Sequence, residues 1–84
     1  MNYVLTEHAK ESLQRRSNIQ LRWLKQAITT PHRIEKDVDD SELTHYLLKI
    51  EDFEGRVLRV IVNQTVDPMR VITAFFDRNM RNKL

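Results

Sequence analysis

The sequence predicts a small α+β domain in which two N-terminal helices pack on one face of an antiparallel sheet, in the order β-α-α-β-β-β-β. Three observations carry this. Between Arg56 and Asp77, R-V-L-R-V-I-V-N and R-V-I-T-A-F-F-D flank the turn-like Q-T-V-D-P-M, and runs rich in Val, Ile and Phe around a proline-bearing turn read as a strand hairpin. Leu21, Leu24 and Ile28, widened by Trp23 and Ala27, recur at the spacing of an amphipathic helix. The length of 84 residues fits one domain, and a domain this small buries only roughly 60–65% of its unfolded surface, so its stability is thin.

In chain order, Asn2 to Leu5 is a short apolar strand. Thr6 is an N-cap and Glu7 suits the positive end of a helix dipole, so a first helix runs from about Glu7 to Arg16, with Ala9 and Leu13 facing inward. Ser17-Asn18 closes it, since Asn tolerates the left-handed conformation. The second helix spans about Gln20 to Thr30; its N-cap is ambiguous, Ser17 with Gln20 being able to make a capping box, and Pro31 stops it. So short a link implies an antiparallel helical hairpin. His32 to Lys36 reads as an edge strand, Asp37 to Ser41 as an acidic loop, and Leu43 to Ile50 as a firm strand with Tyr46, Leu48 and Ile50 on one face. Glu51 to Gly55 is a turn, where the single glycine supplies an unusual backbone angle. Arg78 to Leu84 is a basic tail expected to fray.

Composition narrows the function classes. There is no cysteine, hence no disulfide and no thiolate chemistry, and no histidine pair has metal-ligand spacing. A metal site and a cofactor are not expected. No apolar run approaches the roughly 20 residues that span a bilayer, and no secretory leader precedes the domain, so a cytoplasmic protein without membrane contact is expected. The net charge of +2 hides segregation: residues 1–34 and 55–84 are basic, whereas 35–54 carry an acidic block. The basic ends suit a polyanion; the acidic middle does not.

Strand parity locates a candidate working face. Side chains alternate between faces, so Leu58, Val60 and Val62 share one side of the hairpin with Ile72, Ala74 and Phe76. Val57, Arg59, Ile61 and Asn63 share the other with Val71, Thr73, Phe75 and Asp77. The preceding strand adds His45 and Lys49 to that open face. Arg59 and Lys49 there suit a phosphate, His45 suits proton transfer near neutrality, and Arg78 adds charge just beyond the last strand. Metal-free ribonuclease chemistry uses such groups: a base, an acid and cations for the phosphorane. A plain structural role stands beside each, above all a cross-strand pair between Arg59 and Asp77. His8 and Arg16 lie two turns apart on the first helix, separated by about 80° around it.

The series T-E-H-A-K-E-S-L-Q-R-R at Thr6–Arg16, A-I-T-T-P at Ala27–Pro31, G-R-V-L-R-V-I-V at Gly55–Val62 and V-I-T-A-F-F-D at Val71–Asp77 resembles a small bacterial family grouped with the RelE/ParE toxin superfamily. The resemblance implies a RelE-like fold and a toxin module paired with an antitoxin. Its family positions fall on His8, Arg16, Arg59 and Thr73. The implied activity is a metal-independent endoribonuclease acting on RNA, free or ribosome-bound. Arg59 would stabilise the phosphorane with Arg16 or Arg78, His8 or His45 would be acid or base, Thr73 would orient a phosphate, and Lys49, Asn63, Asp77 and Arg78 would hold substrate. The last strand ends Phe75-Phe76-Asp77, without the C-terminal aromatic acid/base of messenger-cleaving relatives. That departure keeps two alternatives open: a non-catalytic ParE-like inhibitor, and an orphan domain that forms a homodimer through a sheet edge or the patch of Leu47, Ile61 and Phe75.

Overall fold

The computed structural model describes residues 2–16 and 18–84. Its elements are β1 (Tyr3–Leu5), α1 (Glu7–Arg15), α2 (Leu21–Thr29), β2 (Arg33–Lys36), β3 (Leu43–Ile50), β4 (Arg56–Asn63) and β5 (Met69–Phe76), with 3₁₀ turns at Glu51–Phe53 and Arg78–Met80. The element order is the expected one, and each span lies within a residue of its expected bounds. The strands form one five-stranded sheet in the order β1-β5-β4-β3-β2.

The sheet is mixed, which corrects the expectation of a wholly antiparallel one. β2 to β5 pair antiparallel, but β1 runs parallel to β5, with Tyr3 opposite Met69 and Leu5 opposite Val71. No local pattern announces this, because the partner lies at the far end of the sequence and no hairpin turn connects the two. The pairing gives the next element its direction. Thr6 N–H donates to Val71 O, Thr6 Oγ1 accepts from Ala9 N–H at 3.1 Å as the N-cap, and α1 runs on beside β5.

Each helix packs mainly on the sheet, α1 against β5 and β1 and α2 against β3 and β4, rather than chiefly on the other as a helical hairpin would. Gln20 caps α2 without a side-chain bond; Ser17, assigned to the capping box and to the helix-closing turn, lies outside the described residues. The main core joins Leu24 and Ile28 of α2 to Leu48, Leu58, Val60 and Val62 of the sheet. Trp23, Phe53 and Phe76 close one end of it, with ring centroids 5.1 to 6.2 Å apart, spacings at which aromatic pairs attract. Glu54 and Gly55 take φ of 58° and 68° in the turn before β4, the region that glycine enters without steric cost.

A β-bulge corrects the parity of β5. Val62 pairs with Val71 while Ile61 pairs with Thr73, so Ile72 is the extra residue of a two-against-one step. Val71 therefore turns inward and is fully buried, and Ile72 is only half-buried, the reverse of the uninterrupted alternation. Beyond the bulge the alternation holds: Ala74 and Phe76 lie opposite Val60 and Leu58, and Phe75 lies opposite Arg59.

A third correction concerns the tail. Met80 is 9% exposed and seats on Leu47 and Val57, with Leu84 beside it. The tail covers part of the face expected to stay open, because Leu47 and Val57 point there and gain by leaving water.

One core position is poorly satisfied. Thr44 is 1% exposed, and among the described residues its Oγ1 has no hydrogen-bond partner. A buried orphan hydroxyl costs about 1–3 kcal/mol. Thr44→Val should therefore raise the urea midpoint, with stability up by about 1 kcal/mol; an unchanged or lower midpoint would show that the hydroxyl is solvated.

Candidate functional site

The register that brings β2, β3, β4 and β5 side by side gathers His45, Arg59 and Asp77 with Glu35 into one cluster. Arg59 is its hub. Its Nε donates to Asp77 Oδ2 at 2.8 Å, and its Nη1 donates to Glu35 Oε1 at 3.1 Å and to His45 Nδ1 at 2.7 Å. The Arg59 side chain is only 12% exposed and that of Asp77 14%. Because a guanidinium can only donate, His45 Nδ1 is the acceptor. The ring proton then sits on Nε2 and is donated to Asp37 Oδ1 at 2.7 Å. Neither ring nitrogen is free to take a proton from a substrate while this cluster is intact. Arg59 and His45, expected as phosphorane stabiliser and acid/base, are held by protein partners.

Asp37 has its carboxyl below the ordinary carboxylate range, first because His45 donates to it and then because the Asp40 and Asp39 amides do. The unfolded chain binds that proton more readily, so the contribution is complete above a pH of about 3.9 and is lost as pH falls through the folded value. Thermal unfolding followed from pH 6 down to pH 2.5 should show the loss, and Asp37→Asn should flatten the curve over that interval. A variant as acid-sensitive as the parent would place the effect elsewhere.

The other expected residues disperse. Thr73 shares the Arg59 face by register, but its Oγ1 lies 3.2 Å from Ser12 Oγ of α1. Asn63 Oδ1 accepts from Thr65 N–H and Thr65 Oγ1, a local turn bond. Lys49 Nζ sits 3.4 Å from Glu51 Oε1 and 3.5 Å from Leu84 O. His8 is exposed on α1 and has no hydrogen bond to the cluster among the described residues. Asp77 has its second oxygen committed as well, since Oδ1 accepts from Asn79 N–H at 2.9 Å and caps the 3₁₀ turn.

Arg16 and Arg78 fall in a different place, at one end of the sheet. There a cleft of about 630 Å³ is lined by Arg16, Arg56, Arg78 and Arg81 together with Asn18 and Phe75. Three elements end at this spot: α1 finishes at Arg15, β4 begins at Arg56 and β5 finishes at Phe76. Arg56 lies over the Phe53 ring at 4.5 Å, with Glu54 the nearest carboxylate at 4.0 Å. Among the described residues Arg16, Arg78 and Arg81 have no ion-pair partner. Asp77, the carboxylate on the wall, is neutralised by Arg59. The cleft is therefore strongly cationic. Its size is that of a small-ligand pocket.

A protein-family model described as a domain of unknown function, DUF4258, matches residues 5–76. The chain belongs to this family. No curated protein and no solved structure matches it. The matched stretch of this DUF4258 domain contains Arg16, Asn18, Arg56 and Phe75, while Arg78 and Arg81 follow it. Parity missed Arg56 and Arg81 because it sorts residues between faces, whereas this cleft opens at an end. A signal was present: Arg16, Arg56 and Arg78 each stand at an element boundary.

Proposed function

We propose that this DUF4258 domain is a RelE-like, toxin-type module that holds single-stranded RNA in the arginine cleft, with metal-independent strand cleavage as its reaction and a cognate antitoxin as its partner. The observation that carries the RNA reading is the set of four arginines around one cleft, three of them without a carboxylate among the described residues. Guanidinium forks match phosphate oxygens, and phosphate neutralisation releases counterions. Phe75 is half-buried in the same wall, where a ring face can stack a base. In cleavage, attack by a 2′-hydroxyl puts negative charge on the phosphorane, and cations aimed at that charge lower the barrier.

Proton transfer is the step the lining does not supply. Its one carboxylate is held by Arg59, and His45 has both ring nitrogens engaged. That observation favours a second reading, a non-catalytic ParE-like inhibitor that uses the same cleft to grip an anionic partner. A fluorescent single-stranded RNA titrated by anisotropy over a salt series separates the outcomes. Four phosphate contacts predict a slope of log K against log salt near −3. Scission of the RNA, free or on ribosomes, supports cleavage; binding with intact RNA selects the inhibitor. Absence of salt-dependent binding would falsify the RNA reading.

A further inference from the structure

Two of the four cleft arginines, Arg78 and Arg81, sit on the C-terminal segment, which joins the sheet through Asp77, whose N–H donates to Val57 O at 2.8 Å, and through Met80. Asp77 is the joint. One carboxylate oxygen takes the Arg59 Nε proton at 2.8 Å, while the other takes the Asn79 amide proton at 2.9 Å. The same side chain therefore fixes the segment to the sheet and starts the 3₁₀ turn that carries Arg78. Three residues on, Met80 seats on Leu47 and Val57, and Val57 also lines the cleft. The turn continues through Met80 N–H to Asp77 O at 3.2 Å, Arg81 N–H to Arg78 O at 3.3 Å and Lys83 N–H to Met80 O at 3.0 Å.

We propose that Arg59 and Asp77 are positioning residues: their ion pair, with Met80 as the apolar latch, docks the C-terminal turn and so places Arg78 and Arg81 in the anion cleft. Arg59 then acts on a bound phosphate through the tail rather than by touching it. Its 12% exposure and the three protein acceptors on Nε and Nη1 suit that role, and among the described residues Nη2 is the one nitrogen of the fork with no partner. With the tail undocked, the cleft keeps only Arg16 and Arg56. The RNA arm of the test rests on the proposed RNA reading; the docking itself does not.

The experiment is a double-mutant cycle on binding, read with a single-stranded RNA oligomer and, separately, with inorganic pyrophosphate. Asp77→Ala removes the carboxylate joint and leaves the backbone bond to Val57 O, and Met80→Ala removes the latch while leaving the Arg59 cluster whole. Each is made in the parent and in an Arg78→Ala/Arg81→Ala background. A nonspecific affinity of about 10⁻⁵ M spread over about eight phosphate contacts amounts to roughly fourfold per contact. Either change should therefore weaken RNA binding in the parent by on the order of 15-fold and flatten the salt slope by about 1.4. In the Arg78→Ala/Arg81→Ala background either change should add less than twofold, because coupled residues are not additive. Amide hydrogen exchange at Met80, Arg81 and Lys83 should lose protection in both variants. Equal loss of affinity in both backgrounds, or retained protection at those amides, overturns the positioning role. If RNA fails to bind the parent but pyrophosphate shows the cycle, the RNA reading falls and the positioning role stands. If neither anion binds, the cleft role is overturned with it.

Discussion

Truncating Leu58 to alanine is expected to lower the melting temperature by roughly 15–30 °C. Leu58 is 0% exposed in β4, the strand flanked by β3 and β5, and Phe76 lies opposite it. A Leu→Ala change at a sealed site costs about 3–5 kcal/mol, the lost transfer energy plus the cavity left behind. A domain of this length has about 4–13 kcal/mol in total, and each kcal/mol moves the midpoint by about 4–8 °C. β4 cannot close the void by shifting, since it is hydrogen-bonded on both edges. Circular dichroism on heating gives the number. A fall below 5 °C would mean that α2 does not bear on this strand.

The largest effect on binding should come from Arg16→Ala, Arg78→Ala and Arg81→Ala made together. These cations have no carboxylate among the described residues, so their removal orphans no buried charge and the fold should keep its melting temperature within about 2 °C. At about fourfold per phosphate contact, affinity for single-stranded RNA should fall on the order of 60-fold and the salt slope should shrink from about −3 to about −0.7. Arg70→Ala is the control. Arg70 is exposed and stands near the other end of β5, so its loss should change affinity by less than twofold. Equal losses in the control and at a single cleft position would point to diffuse attraction by net charge, with no built cleft.

The fold was readable because it rests on short-range patterns. The β-branched runs at Arg56–Asn63 and Met69–Phe76, the Thr6 cap and Pro31 each act within a few residues, and each lands within a residue of its expected place. The bulge at Ile72 escaped because nothing in V-I-T marks an extra residue; it shows only against the partner strand. The site was less readable for a related reason. Parity brought His45, Arg59 and Asp77 to one face, and they do meet, but in contact with Glu35 and Asp37 from an edge strand and a loop. Ion-pair saturation depends on distances that a sequence does not contain. The cleft depends on which element ends coincide, and the parallel pairing of β1 decides that by sending α1 and Arg16 toward the end of β5.

That pairing also fixes a timetable. β1 is made first, yet its hydrogen-bonding partner is the last strand to be made, and Thr6 donates to an oxygen 66 positions ahead of it. On a translating ribosome the opening strand must wait, unpaired, while both helices and the β2–β4 meander emerge. Closing so long a loop is slow compared with forming a neighbouring hairpin. The cationic cleft, which needs the ends of α1 and β5 together, therefore comes into being only once β5 and the turn after it have emerged, and a shorter nascent chain presents Arg16 without its companions.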